Sequence, residues 1–127
     1  MTPKSLALFL LVCAATASAG VSTAAAHHSV AMYDNDNLIT LEGTVTRVEW
    51  TSPHVFVYFK SGDETKEWSV ELDPPVLLRR YGWRQSTVEA GDAATFTGAP
   101  AKSGAKAMRG AIVELADGTQ LRVWSRV

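Results

Sequence analysis

After residue 38 the chain alternates hydrophobic and polar positions, which is the pattern of short β-strands with one buried face. The first predicted strand is the longest. Its apolar positions share one face from Ile39 to Val45 and then slip by one residue to Val48 and Trp50. A period-2 pattern that slips by one residue predicts a β-bulge. Gly43 lies in mid-strand, where the missing side chain allows sharp coiling or close approach of another backbone.

The next two stretches predict strands that continue the sheet. Val55–Lys60 is apolar on both faces, so we expect neither face to be simply hydrated, and Phe56 and Tyr58 lie opposite Val57. Lys66–Leu72 alternates cleanly, with one predicted inward set and one predicted solvated, outward set. The inward set is Trp68, Val70 and Leu72, and the outward set is Glu67, Ser69 and Glu71.

A short helix is predicted after the third strand. Asp73 suits the N-cap, Pro74 suits the first helical position, and Gly82 suits the residue that ends the helix. Trp83 follows directly and is expected to close one end of the barrel. Three further strands are predicted, the last two joined by a turn at Asp117-Gly118. They span Ala93–Gly98, Met108–Leu115 and Gln120–Trp124.

Three strands, one helix and two strands follow one another in the order of an OB-fold. We therefore predict a mostly β protein: a small OB-fold-like five-stranded barrel with one short helix between strands 3 and 4 and a C-terminal hairpin. The alternative is another small β-sandwich or barrel in which the helix is incidental.

The first 26 residues predict a secretory signal peptide, with Lys4 before the apolar run Leu6–Ala15. That run is too short to span a bilayer, so we expect no membrane partner after cleavage. Cleavage after Ala26 is favoured, and cleavage after Ala19 or Ala25 is the alternative. The predicted organisation is a signal peptide at 1–26, an N-terminal arm at 27–37 and a barrel domain at 38–127, in a periplasmic or secreted protein.

Charge and cysteine content exclude several classes of function. The mature chain would keep all 13 acidic residues and lose one of 12 basic residues, so a nucleic-acid partner is not expected. The basic cluster Arg79, Arg80 and Arg84 is predicted to be a solvated helix face. Cys13 lies within the predicted signal peptide, which leaves no thiol for a disulfide, a metal or a nucleophile.

The chain resembles a bacterial family of small exported (periplasmic) domains of unknown function. The motifs that carry the resemblance span the predicted mature chain: His27-His28-Ser29, Gly43-Thr44-Val45, Trp50-x-x-Pro53-His54, Glu71-x-x-x-Pro75-x-x-Leu78-x-Arg80-x-Gly82-Trp83, Gly91-Asp92 and Gly98-x-Pro100-Ala101-Lys102. The resemblance implies export and a β-barrel, and it implies no established activity.

Three histidines are the candidate metal ligands: His27, His28 and His54. After cleavage at Ala26, His27 would offer its α-amine and its imidazole, and His28 would add a second imidazole. Such nitrogen ligands suit Cu(II), so copper is the candidate cofactor. This arrangement is similar to the N-terminal histidine brace of some exported copper proteins. His54 is the candidate third side chain, and Met32 is a soft ligand for Cu(I).

Two alternatives compete with a copper-binding, non-catalytic accessory protein. One is a metal-free module that binds a peptide, a glycan or an unknown periplasmic protein on the barrel face carrying Phe56 and Tyr58. The other is a copper-dependent redox enzyme. No nucleophile motif, phosphate loop or dinucleotide fingerprint is present, so an enzyme is the less favoured hypothesis.

Overall fold

A computed structural model describes residues 30–124. The chain divides after Ala31, and the barrel belongs to the unit that begins at Met32. The strands are β1 (Ile39–Glu49), β2 (Phe56–Lys60), β3 (Trp68–Glu71), β4 (Ala93–Pro100), β5 (Ala107–Leu115) and β6 (Gln120–Arg122), and the helix α1 is Pro75–Arg80. Among the described residues, no helix is long and apolar enough to cross a membrane.

The strands form one sheet in the order β3-β2-β1-β4-β5-β6, and β3 also pairs in parallel with β5. The second pairing closes five strands into a barrel and leaves β6 as an added strand on β5. The helix lies between β3 and β4 in the chain. The predicted OB-fold-like barrel with a C-terminal hairpin is therefore confirmed.

The register of β1 contains the irregularity that the hydrophobic pattern predicts. β1 pairs with β4 through its first half and with β2 through its second half, and the pairing with β2 shifts between Val45 and Arg47. The extra residue lets one long strand serve two neighbours because a bulge bends the strand and increases its twist. It also moves Val48 to the inward face.

The core is filled by the inward side chains of the five barrel strands. Val57, Val70 and Met108 are fully buried on adjacent strands, and the rings of Phe59 and Phe96 stack with centroids 4.3 Å apart. Trp83 is 1% exposed, and its Nε1 donates a hydrogen bond to the Arg122 carbonyl oxygen at 2.9 Å. Burial of these large side chains supplies the main driving force for closure of the barrel.

We predict that Gly43→Ala destabilises the protein by about 1–3 kcal/mol. A Cβ at this position would clash with the Lys60 carbonyl oxygen and the Phe59 ring, because β1 and β2 approach closely here. Urea unfolding of the variant measures the loss. Thr44→Ala is the control, since Thr44 is exposed on the same strand and its loss should change stability by less than about 0.5 kcal/mol. Equal stability of the two variants would contradict the close approach.

Candidate functional site

The outer face of β1, β2, β3 and β5 carries the candidate site. Residues paired across neighbouring strands share a face of the sheet, so the registers define rows of side chains. One outer row is Glu49, Phe56, Glu71 and Arg109, and the next is Arg47, Tyr58, Ser69 and Ala107. The hydrogen bond from Leu72 N to Val55 O continues the β2–β3 pairing past the strand ends. His54 and Asp73 therefore lie beside the first row.

Glu71 is buried, although the alternation of β3 predicts a solvated carboxylate. Its side chain does point outward, but it is only 6% exposed. The Tyr33 hydroxyl donates a hydrogen bond to Glu71 Oε2 at 3.0 Å, and His54 Nδ1 lies 3.4 Å from Oε1. The prediction of a solvated Glu71 was wrong because the segment before β1 covers this part of the outer face.

Tyr33 is held in place through the backbone of its own segment. It forms an isolated bridge with Ala101, the Asp34 N–H donates to the Pro100 carbonyl at 2.9 Å, and the Lys102 N–H donates to the Met32 carbonyl at 3.0 Å. Burial and the neighbouring Glu71 carboxylate both raise the pKa of the Tyr33 hydroxyl. The hydroxyl is therefore a stable hydrogen-bond donor at neutral pH.

His54 presents its Nδ1 atom to two acceptors. Besides the Glu71 carboxylate, the Leu72 carbonyl oxygen lies 3.1 Å from Nδ1. Since both groups accept hydrogen bonds, we assign the proton of the neutral ring to Nδ1, which leaves the lone pair on Nε2. The side chain is 20% exposed. His54 is thus oriented by the protein and still reaches solvent.

Asp73 pairs with Arg109 instead of capping the helix. Pro74 occupies the N-cap position of α1, and no side chain caps that end, so the predicted role of Asp73 was wrong. Its Oδ1 lies 3.6 Å from an Arg109 guanidinium nitrogen, and the same guanidinium stacks 4.2 Å from the Trp124 ring centroid. Burial raises the pKa of Asp73 more than the attraction of Arg109 and His54 lowers it.

These side chains form what we call the polar cluster: Tyr33, His54, Glu71, Asp73, Arg109 and Trp124. It holds two carboxylates, one oriented imidazole and one guanidinium in a largely buried setting. Such a cluster can donate, accept and ligate through few exposed atoms, which is typical of a binding site. Among residues 30–124, no three histidine, cysteine or acidic side chains are arranged to hold a metal ion by themselves.

Phe56 and Tyr58 adjoin the polar cluster on the same face. Their rings stack with centroids 6.4 Å apart, and both side chains are half-buried. The Arg47 guanidinium lies 3.3 Å from the Tyr58 ring centroid and forms ion pairs with Glu49 and Glu67. The aromatic pair is therefore partly covered by a charged side chain.

Of the predicted site residues, the fold brings His54, Phe56 and Tyr58 onto one face. His27 and His28 lie outside the described residues. Most of the polar cluster was not predicted from the sequence, namely Tyr33, Glu71, Asp73, Arg109 and Trp124. The sequence did contain a signal for the burial of Glu71. Strand β2 is apolar on both faces, which indicates that its outer face is covered, and the same cover extends to the neighbouring strand β3.

A separate open cleft of about 470 Å³ lies where β1, β4 and β5 meet. Glycine, alanine and threonine residues form most of its lining, which also includes the carboxylates of Glu42 and Glu114. None of the polar-cluster residues contributes to this cleft.

The model of one protein family, described as a family of unknown function (DUF6152), matches residues 12–110. A search of curated proteins finds no match. The family match begins before the barrel and ends within β5, so β6 lies outside it. Because it covers most of the sequence, the chain belongs to this family.

We predict that Asp73→Asn makes the protein more stable relative to the wild type at neutral pH than at acid pH. A raised pKa in the folded state means that folding binds the Asp73 proton more tightly. Wild-type stability therefore falls as pH rises from the unfolded pKa through the folded one, and the variant lacks this loss. The difference in unfolding free energy, variant minus wild type, should increase from acid to neutral pH in urea titrations.

Asp117→Asn is the matched control for that measurement. The Thr119 N–H donates a hydrogen bond to the Asp117 carboxylate and lowers its pKa. The unfolding free energy of Asp117→Asn minus that of the wild type should therefore decrease as pH rises. A decrease of the corresponding difference for Asp73→Asn would contradict the prediction. It would mean that the attraction of Arg109 lowers the pKa of Asp73 more than burial raises it.

Proposed function

We propose that this DUF6152 member is an exported, non-catalytic binding protein that binds copper, with His27, His28 and His54 as ligands. The single observation that carries the proposal is the orientation of His54. Its Nδ1 faces a carbonyl oxygen and a carboxylate, so its Nε2 lone pair is available to a metal. Histidines that ligate metals generally donate their other ring N–H to a carboxylate or a carbonyl group in this way.

The chain length before Tyr33 supports the choice of the other two ligands. Tyr33 bonds to one oxygen of the Glu71 carboxylate, whose other oxygen faces His54. Five residues lead back from Tyr33 to His28, a span of up to about 17 Å when extended. This short separation along the chain supports His27 and His28 as the other two proposed ligands.

Copper is the metal that this donor set favours. If a signal peptide is removed after Ala26, His27 supplies an α-amine and an imidazole, and His28 supplies another imidazole. Nitrogen donors of this kind suit tetragonal Cu(II). Met32, which is 63% exposed, adds a thioether that suits Cu(I). A copper-dependent redox enzyme would use the same ligands and would differ by turning over a substrate.

A metal-free ligand is the second candidate, and the position of Phe56 supports it. Phe56 pairs with Glu71 across β2 and β3, so the aromatic pair and the polar cluster form one continuous outer surface. A peptide or glycan on that surface would contact the Phe56–Tyr58 stack and His54 together. This is the face that OB-folds generally use for ligands.

The decisive experiment is copper titration of the processed protein, read by EPR. We expect one type 2 Cu(II) signal per chain and sub-micromolar affinity. One extra N-terminal residue should weaken binding, because it moves the α-amine away from His27. His54→Ala should also weaken binding, and Glu71→Gln should reduce affinity about 10- to 100-fold by loosening the His54 ring.

Asp117→Asn serves as the control, since Asp117 lies in the β5–β6 turn and should leave copper affinity unchanged. Thermal melts of every variant establish that the barrel is folded. Weak, multi-site copper binding that is indifferent to the extra residue and to His54→Ala would overturn the copper proposal and leave the Phe56–Tyr58 surface as the candidate.

A further inference from the structure

The arginines of the described region divide into two groups. Arg47 and Arg109 form ion pairs and stack on aromatic rings. The other four are exposed, and within residues 30–124 none of them forms an ion pair. These four, which we call the arginine face, are Arg79, Arg80, Arg84 and Arg122.

The fold gathers the arginine face from two distant parts of the chain. Trp83 follows α1, and its Nε1 donates to the Arg122 carbonyl at 2.9 Å, so Arg84 and Arg122 flank one contact. Gly82 lies against Leu121, since a Cβ at Gly82 would be 3.8 Å from a Leu121 methyl group. The end of α1, the residues that follow it and strand β6 are therefore neighbours, which brings the four exposed arginines to one region of the surface.

An apolar residue adjoins these charges. Val76 is 58% exposed, and Arg79 and Arg80 follow it by three and four residues, which places all three on one side of α1. The opposite side of the helix is anchored by Leu78, which is fully buried. Exposed arginines beside an exposed aliphatic side chain are characteristic of protein interfaces, where arginine is enriched and lysine is depleted.

We propose that the arginine face, with Val76, docks an acidic segment of a partner protein. Guanidinium groups bind carboxylates in a bidentate fashion, and four of them without internal partners form a complementary surface for such a segment. The chain as a whole has one more acidic than basic residue. That surplus opposes an extended anionic membrane, whereas a compact acidic segment contacts only the arginine face.

A capped oligoglutamate peptide is the probe. In a titration at low salt, backbone amide chemical shifts should change around residues 76–84 and 121–123, and added salt should reverse the changes. The variant Arg79→Gln/Arg80→Gln/Arg84→Gln should bind about tenfold more weakly, because each exposed ion pair contributes little alone and three are lost together.

The matched control removes the same charge elsewhere. Lys60→Gln/Lys66→Gln/Lys102→Gln changes three exposed basic residues outside the arginine face and should leave peptide affinity within about twofold. An equal loss in both variants would overturn the proposal by showing that only net charge matters. Binding to vesicles of equal parts phosphatidylglycerol and phosphatidylcholine, with no peptide binding, would overturn it in favour of a membrane surface.

Discussion

The parallel pairing of β3 with β5 is the constraint on which the rest of the structure depends. It aligns Val70 with Met108 inside the barrel, where both are fully buried, and it aligns Glu71 with Arg109 outside. Because β3 and β5 are far apart in the chain, their pairing closes a long loop, and the conformational entropy lost in closing it must be offset by the contacts that form. The buried apolar pair supplies that compensation, and the charged pair on the other face follows from the same register.

Closure also explains how two carboxylates are buried on an outer surface. Glu71 is covered by Tyr33, and Asp73 lies against Arg109 at the strand end. Burying charges costs several kcal/mol per ion, and their mutual attraction offsets this only with good geometry. The raised pKa of Asp73 indicates that the offset here is incomplete. Buried ionisable groups whose pKa is shifted by desolvation beside a charged partner are frequent at functional sites.

Much of the fold could be predicted because its signals are local. The slip from Val45 to Val48, the proline-rich start of α1 and the Asp117-Gly118 turn each depend on a few neighbouring residues. The polar cluster could not be predicted in this way. Glu71 alternates like a solvated residue, and its cover includes Tyr33, which lies 38 residues earlier in the chain. Asp73 is a residue type that often occupies the N-cap of a helix, but in α1 the N-cap position is occupied by Pro74.

The same distinction applies to the candidate ligands. His54 was recognisable as a residue type, whereas its orientation depends on the Leu72 carbonyl and Glu71, which the β2–β3 register brings to it. His27 and His28 rest on sequence alone. Arg122 was not grouped with Arg79, Arg80 and Arg84, because 38 residues separate it from Arg84. Their proximity is visible only in tertiary contacts, such as the hydrogen bond from Trp83 to the Arg122 carbonyl.

The Glu71 carboxylate joins the arm to the imidazole, and this has a thermodynamic consequence. One oxygen accepts from Tyr33, and the other faces the His54 N–H. Both contacts therefore depend on one carboxylate, and its removal would deprive the Tyr33 hydroxyl and the His54 Nδ1–H of an acceptor together. The position of the Tyr33 segment and the orientation of the His54 ring are therefore linked through the same side chain. By linkage, any free energy that couples these two contacts acts equally in both directions.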